Sequence, residues 1–174
     1  MNILFYDFET TGLNPFHDSI IEYAFLSNLV EEDETNFSQI VSLINPKKKI
    51  NEKITKITGI DDNMVKDYTF IENHRDIIFN FIKNLYTKTT NTDQKYLYLI
   101  AHNNDGFDRF FFKRIFKANN SQLRFINDHI RFIDSIHLSK IVLPYMRSHS
   151  LKTLAKTFQI PEGTHRSLSD TKTL

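Results

Sequence analysis

Asp7 and Glu9 flank Phe8 at the end of a short apolar run that begins at Met1, and their spacing sets the chemistry open to them. Residues two apart on a strand point to the same face, so the two carboxylates project together while Phe8 turns into the core. Two such groups repel unless a proton or a cation sits between them. A hard divalent ion with oxygen ligands, such as Mg2+, suits the pair. The plainer alternative is a strand end carrying two solvated acids. Thr10-Thr11-Gly12-Leu13 follows directly. A glycine just past the acids lets backbone approach a ligand closely. Leu13, apolar for a loop, either joins the core or packs against a base.

Two further blocks carry residues of the same kind. Ala101-His102-Asn103-Asn104-Asp105-Gly106-Phe107-Asp108 joins a strand to a helix. In open α/β sheets, sites form at the carboxyl ends of strands. Asp108 falls in the first turn of that helix, where the helix dipole also favours an acid. Asp105 is the alternative cap, and His102-Asn103 can simply satisfy loop backbone. The third block is His165-Arg166-Ser167-Leu168-Ser169-Asp170. If His165 precedes a helix and Asp170 lies within it, the histidine reaches a reacting water while the acid binds a metal. Otherwise His165 is a surface residue. Four acids and one histidine in three blocks are the inventory for two-metal phosphodiester hydrolysis. A histidine titrates near neutrality and can take the proton of the attacking water.

The elements that must position these blocks follow from hydrophobic patterning. Met1–Phe8 reads as a buried strand. Ser19–Leu29 and Phe37–Ile44 form a hairpin across the polar turn Glu31–Glu34. Ile50, Ile54 and Ile57 step at helical spacing until Gly59 ends the helix. Ile71 to Leu85 marks a longer amphipathic helix, and Thr87–Gln94 a polar loop. Tyr96–Ala101 is a strand, Phe107–Phe116 an apolar helix, and Ile130–Ile133 a last strand ending at Asp134. Ser135–Val142, Leu151–Phe158 and Arg166–Leu174 read as helices. Three strands followed by strand–helix alternation predict an α/β chain with a mixed sheet flanked by helices.

With these blocks in place, the sequence resembles the DEDDh 3'→5' exonucleases, the DnaQ-like branch of the RNase H-like superfamily. Phe5–Leu13 resembles the first exonuclease motif and Ala101–Asp108 the second. The spacing within the second is nearer the Trex-like three-prime repair branch than the bacterial proofreading epsilon subunit. His165 and Asp170 match the third motif. Ile57-Thr58-Gly59-Ile60 is similar to the family's His-Gly-Ile element, with Thr58 in place of His. Ile133–Leu138 resembles its D-[ST]-L-x-L stretch. The resemblance implies a five-stranded mixed sheet, three antiparallel strands then two parallel, flanked by helices. It implies that Asp7, Glu9, Asp108 and Asp170 hold two divalent ions, Mg2+ or Mn2+, and that His165 is the general base. It also implies that backbone at Thr11 and Gly12 meets the terminal nucleotide, that Leu13 and Ile60 pack on opposite sides of its base, and that His102 and Asn103 shape the site. Phe107 stands where the repair branch often has Tyr. Asp134 is expected to cap its helix. The implied activity is stepwise hydrolysis from single-stranded 3' ends, DNA favoured, releasing nucleoside 5'-monophosphates. The alternatives are an RNA-trimming exoribonuclease, or a proofreading and docking module with a polymerase as partner.

Composition bounds these readings. The 174 residues suit one exonuclease domain, 1–174, whose last helix is short or truncated. Cysteine is absent, which removes disulfides, thiolate metal sites and cysteine nucleophiles. No apolar run reaches the length of a membrane helix and no signal peptide is evident, so an intracellular setting, cytoplasm or nucleus, is expected. With a net charge of +1, nucleic acid must be gripped locally rather than by bulk attraction. Lys47–Lys49 and Arg166 are candidates for phosphate contact, or else solvated. The chain holds 21 Ile and 16 Asn against 4 Ala, the mark of an A+T-rich genome such as that of a virus.

Overall fold

The computed structural model describes residues 2–30, 37–89 and 95–174. Five strands form one sheet in the order β3-β2-β1-β4-β5. They are β1 (Ile3–Thr10), β2 (Ile20–Val30), β3 (Phe37–Leu43), β4 (Leu97–Ala101) and β5 (Ile130–Asp134). The pairs β1–β2 and β2–β3 are antiparallel, while β1–β4 and β4–β5 are parallel. The expected mixed sheet is therefore present. Its central strand, β1, carries the first pair of acids.

Burial alternates strictly along β1, with Leu4, Tyr6, Phe8 and Thr10 inward. Asp7 and Glu9 take the opposite face, as a two-residue period requires. The inward face packs beneath α3 (Ile71–Thr89), α4 (Asp108–Phe116) and α5 (Asn120–His129). Phe112 of α4 is the keystone there, its ring 5.7 Å from that of Tyr6, 6.3 Å from Phe25 and 5.3 Å from Phe132. Removing a ring of this kind from a closed core costs about 3–5 kcal/mol. A smaller cluster of Ile21, Ile50, Ile60 and Val65 gathers α1 (Glu52–Thr58) and α2 (Asp62–Val65). Asn51 caps the start of α1, and Gly59, at φ 72°, closes it in the left-handed conformation that glycine accepts without penalty.

The remaining helices are α6 (Ser135–Val142), α7 (Leu151–Phe158) and α8 (Ser167–Thr173). Of these three, α8 is the one that packs extensively on β1 and β2 among the described residues. At seven residues it is too short to stand alone, and burial of Ser167, Thr171 and Thr173 holds it.

Several boundaries differ from the sequence reading. β1 runs on to Thr10, and α3 continues through Thr89 into the stretch read as a loop. The turn at 31–34 and residues 90–94 of that loop lie outside the described residues. Two helices escaped the periodicity. α2 is a single turn opened by the Asp61 cap. α5 is opened by Asn119, whose side chain accepts from the Gln122 N–H, and runs straight into β5 without a glycine to end it. Among the described residues, no helix is long and apolar enough to cross a membrane.

Candidate active site

Carboxylate oxygens of Asp7, Glu9 and Asp170 all lie within 4.8 Å of one another. The first two come from the outward face of β1 and the third from the first turn of α8. Asp108 opens α4 and reaches the same strand at Phe8. The β1–β4 ladder stops at Phe5, which leaves the Phe8 N–H free to donate to Asp108 Oδ1 at 3.2 Å. Helix α4 has no side-chain cap at Phe107, and the Asp108 carboxylate accepts from its own backbone N–H at that helix end as well as from the strand.

The electrostatics are those of a cluster short of positive charge. Burial pushes the Asp7 carboxyl up to about 8, helped by the charges of Asp170 and Glu22. Burial, then Asp7, pushes Glu9 up to about 9. Asp108, 1% exposed, is driven well above the usual carboxylate range by desolvation and by Asp7. Asp170 is also raised by burial, against the opposing His165 charge and the N–H dipoles of His165 and Thr164. Asp170 Oδ1 is buried and has no hydrogen-bond partner. A carboxylate with a buried, unpartnered oxygen, grouped with two others, fits a divalent cation of the Mg2+ type.

An ion pair anchors the third block. Glu22 of β2 is 3% exposed and lies opposite Glu9 in register. Arg166 Nε donates to both its oxygens, at 3.0 and 3.1 Å, and Nη2 donates to Oε1. The Ser167 N–H and hydroxyl donate to Glu22 Oε2 at 2.8 and 3.0 Å. Arg166 is thus paired with Glu22 and, with Ser167, fixes the start of α8 to β2. His165 sits just before α8, exposed, with φ 54°. Gly163 completes the turn. A Cβ there would fall 1.9 Å from Asp170 Oδ1, so only glycine lets this backbone pass the carboxylate.

The loop after β1 is equally specific. Asp18 accepts from the Asn14 N–H, the Thr11 hydroxyl and Lys48 Nζ. A Cβ on Gly12 would lie 2.4 Å from Asp18 Oδ2, which accounts for the glycine. Leu13 projects from this loop, 82% exposed, and is free to meet a base. Ile60 is a correction. It is wholly buried beside Ile21, Ile50 and Val65, so its side chain has no surface left for a nucleotide. Lys47 pairs with Glu72, and Lys48 with Asp18. The first ties its loop to the opening turn of α3, and the second ties it to the loop after β1.

In the second block, Asn103 takes φ 61° and is exposed. Its N–H donates to Asp134 Oδ1 at 3.0 Å. His102 Nδ1 lies 2.8 Å from Ser135 Oγ, and burial lowers its pKa. Phe107 packs on Phe111, ring centres 5.0 Å apart. Asp134 accepts from the N–H groups of Ile136, Asn103 and Asp105, so it caps α6 and gathers the loop. Asp105 pairs with Arg109 and does not cap α4. Asn104 went unremarked in the sequence. Wholly buried, it accepts from the Tyr6 hydroxyl and donates to the Ile133 carbonyl, joining β1 to β5. Glu22 also went unremarked, although a charge inside Ile20–Phe25 signals a buried partner.

The family model described as an exonuclease, RNase_T, matches residues 4–174. Among curated proteins, the chain is 32% identical over 172 residues to the PolC-type DNA polymerase III of Caldanaerobacter subterraneus. It is 28% identical over 171 residues to that of Bacillus subtilis. Each match covers 96% of this chain and 10% of the relative, so the chain spans about a tenth of their length. Among solved structures, the zinc-bound E. coli exonuclease I complex with single-stranded DNA superposes with a TM-score of 0.74 at 18% identity, over 99% of this chain and 38% of that one. Exonuclease X bound to 5'-overhanging duplex DNA gives 0.63 at 18% identity, over 98% and 85%. The fold is shared with both.

Proposed function

The chain belongs to the RNase_T exonuclease family, and from that premise we propose that it is a 3'→5' exonuclease of the DEDDh type, acting on single-stranded DNA ends. One observation carries the reading. Asp7, Glu9 and Asp170 bring carboxylate oxygens within 4.8 Å at one end of the central strand, with Asp108 bound to that strand's backbone. The single-stranded DNA bound by the exonuclease I neighbour supports the choice of substrate.

In this reading Asp7, Glu9, Asp108 and Asp170 hold two divalent ions, Mg2+ or Mn2+. Such ions, when bound, acidify a water and stabilise the charge of an in-line displacement. The protein's own groups do the rest. Backbone at Thr11 and Gly12 meets the terminal nucleotide, and Leu13 packs on its base. His102, Asn103 and Phe107 line the neighbouring wall. His165, exposed at the mouth, accepts the proton of the attacking water. The water oxygen bonds to phosphorus, the P–O3' bond breaks, and the 3' oxygen leaves with a proton. The product is a nucleoside 5'-monophosphate.

Labelled DNA and RNA oligonucleotides of one sequence, with and without Mg2+, test the reading. Mg2+-dependent release of single nucleotides from the DNA is expected, and preference for RNA would move the assignment to an exoribonuclease. Asp7→Ala should fold and be inactive; near-normal hydrolysis by it would sink the metal assignment. A second reading, proofreading beside a polymerase, is favoured by the PolC-type relatives. Excision of mismatched primer ends faster than matched ones, together with co-purification of a polymerase, would support it.

A further inference from the structure

Helix α4 turns one face to solvent beyond the site. Arg109, Phe110, Lys113, Arg114 and Lys117 recur at helical spacing on it. Phe110 is 47% exposed, and Phe16, from the loop after β1, is 83% exposed. The two rings line a cavity of about 490 Å3 together with Lys113, Arg114 and Lys117. A second cavity of about 240 Å3 continues past Lys113 and Asn127 to Arg109, Arg131 and Phe132. Among the described residues, no carboxylate lines either. In a chain of net charge +1, this is a local concentration of cations with aromatic rings between them. That combination suits unpaired nucleic acid, whose bases stack on rings while phosphates meet cations.

The face is continuous with the catalytic rim. Arg114 donates to the carbonyls of Pro15 and Asp18, strapping the loop that carries Leu13 and Phe16 against α4. A strand whose last base meets Leu13 therefore has Phe16 three residues further on, and then the length of α4, roughly 14 Å.

We propose that the outer face of α4, with Phe16 beside it, is a second binding site that holds the single strand upstream of the 3' end. Phe16 and Phe110 stack on its bases, and Lys113 and Lys117 meet its phosphates. The inference rests on the exonuclease reading for the direction of the strand. Its effect is confined to long substrates, because a dinucleotide ends before it reaches α4.

Two variants test it, Phe110→Ala and the pair Lys113→Gln with Lys117→Gln. Each is assayed with Mg2+ on a thymidine dinucleotide and on a longer oligothymidylate, and binding of the longer strand is measured in EDTA across a salt series. Unchanged turnover of the dinucleotide shows that the variants fold. With the longer strand, Phe110→Ala should weaken binding between about fivefold and a hundredfold, raising KM and leaving kcat intact. The double variant should shallow the salt slope by about 1.4. Equal effects on both substrates, or none on the longer one, overturn the proposal and leave the face to an acidic protein partner. Wild-type protein inactive on both substrates would sink the exonuclease reading, while the EDTA binding series would still decide this one.

Discussion

Metal-free protein should lose stability as pH rises through 7 and 8, and Mg2+ should abolish the loss. Asp7 is held at about 8 and Glu9 at about 9 in the fold, whereas both groups ionise near 4 in an unfolded chain. Above pH 4 and up to those raised values, the folded state binds more protons than the unfolded one. The slope of stability against pH is therefore negative across that window. Each retained proton is worth about 1.4 kcal/mol per pH unit. One to two protons give a loss of about 1.4–2.7 kcal/mol between pH 7 and pH 8. In a domain of this size that lowers Tm by roughly 3–10 °C. The window starts at 7 because His74 and His102, whose pKa values burial lowers, act with the opposite sign below about 6.5. Thermal melts in EDTA and in Mg2+, at matched ionic strength, give the measurement. The gain from Mg2+ should be larger at pH 8 than at pH 7, and Asp7→Asn should flatten the EDTA curve. A melting temperature in EDTA that stays level or rises from pH 7 to 8 would refute the reasoning.

Three substitutions probe the framework around the acids. His165→Ala should cut kcat by about a hundredfold to ten-thousandfold while keeping the Mg2+-induced rise in Tm; loss of that rise would make the histidine structural. Gly163→Ala should displace Asp170, against which the new methyl collides, so Mg2+ titration followed by melting should show weakened binding in a folded protein. Unchanged Mg2+ affinity there would contradict the close approach. Glu22→Ala leaves Arg166 and the Ser167 N–H without their acceptor. A cost of about 2–4 kcal/mol in chemical denaturation is expected, with hydrogen exchange raised first in α8.

What local spacing encodes was legible. The i, i+2 spacing of Asp7 and Glu9 put both on one face of β1, and the five-residue step from His165 to Asp170 placed one before α8 and the other inside it. Asp134 caps α6 as its position before Ser135 suggested. Long-range pairing was not legible. Glu22 and Arg166 are 144 residues apart, and nothing near either names the other. Ile60 carried an apolar signal that suits a base or a core equally, and only the packing of α1 and α2 against Ile21 decides for the core. Gly163 looks like any loop glycine until Asp170 is placed beside it.

The clamp between Glu22 and α8 also bears on the order of assembly. Asp7 and Asp170 are separated by 163 positions, and β1 pairs in parallel with β4. Contacts of such sequence separation pay their loop-closure entropy late. During synthesis, at roughly 5–20 residues per second, the sheet can form before α8 has emerged. An intermediate with a complete sheet and no α8 would hold Asp7 and Glu9 without their third carboxylate, and His165 would be absent from the mouth. The four-acid cluster would then stay incomplete until the last helix locks against β1 and β2.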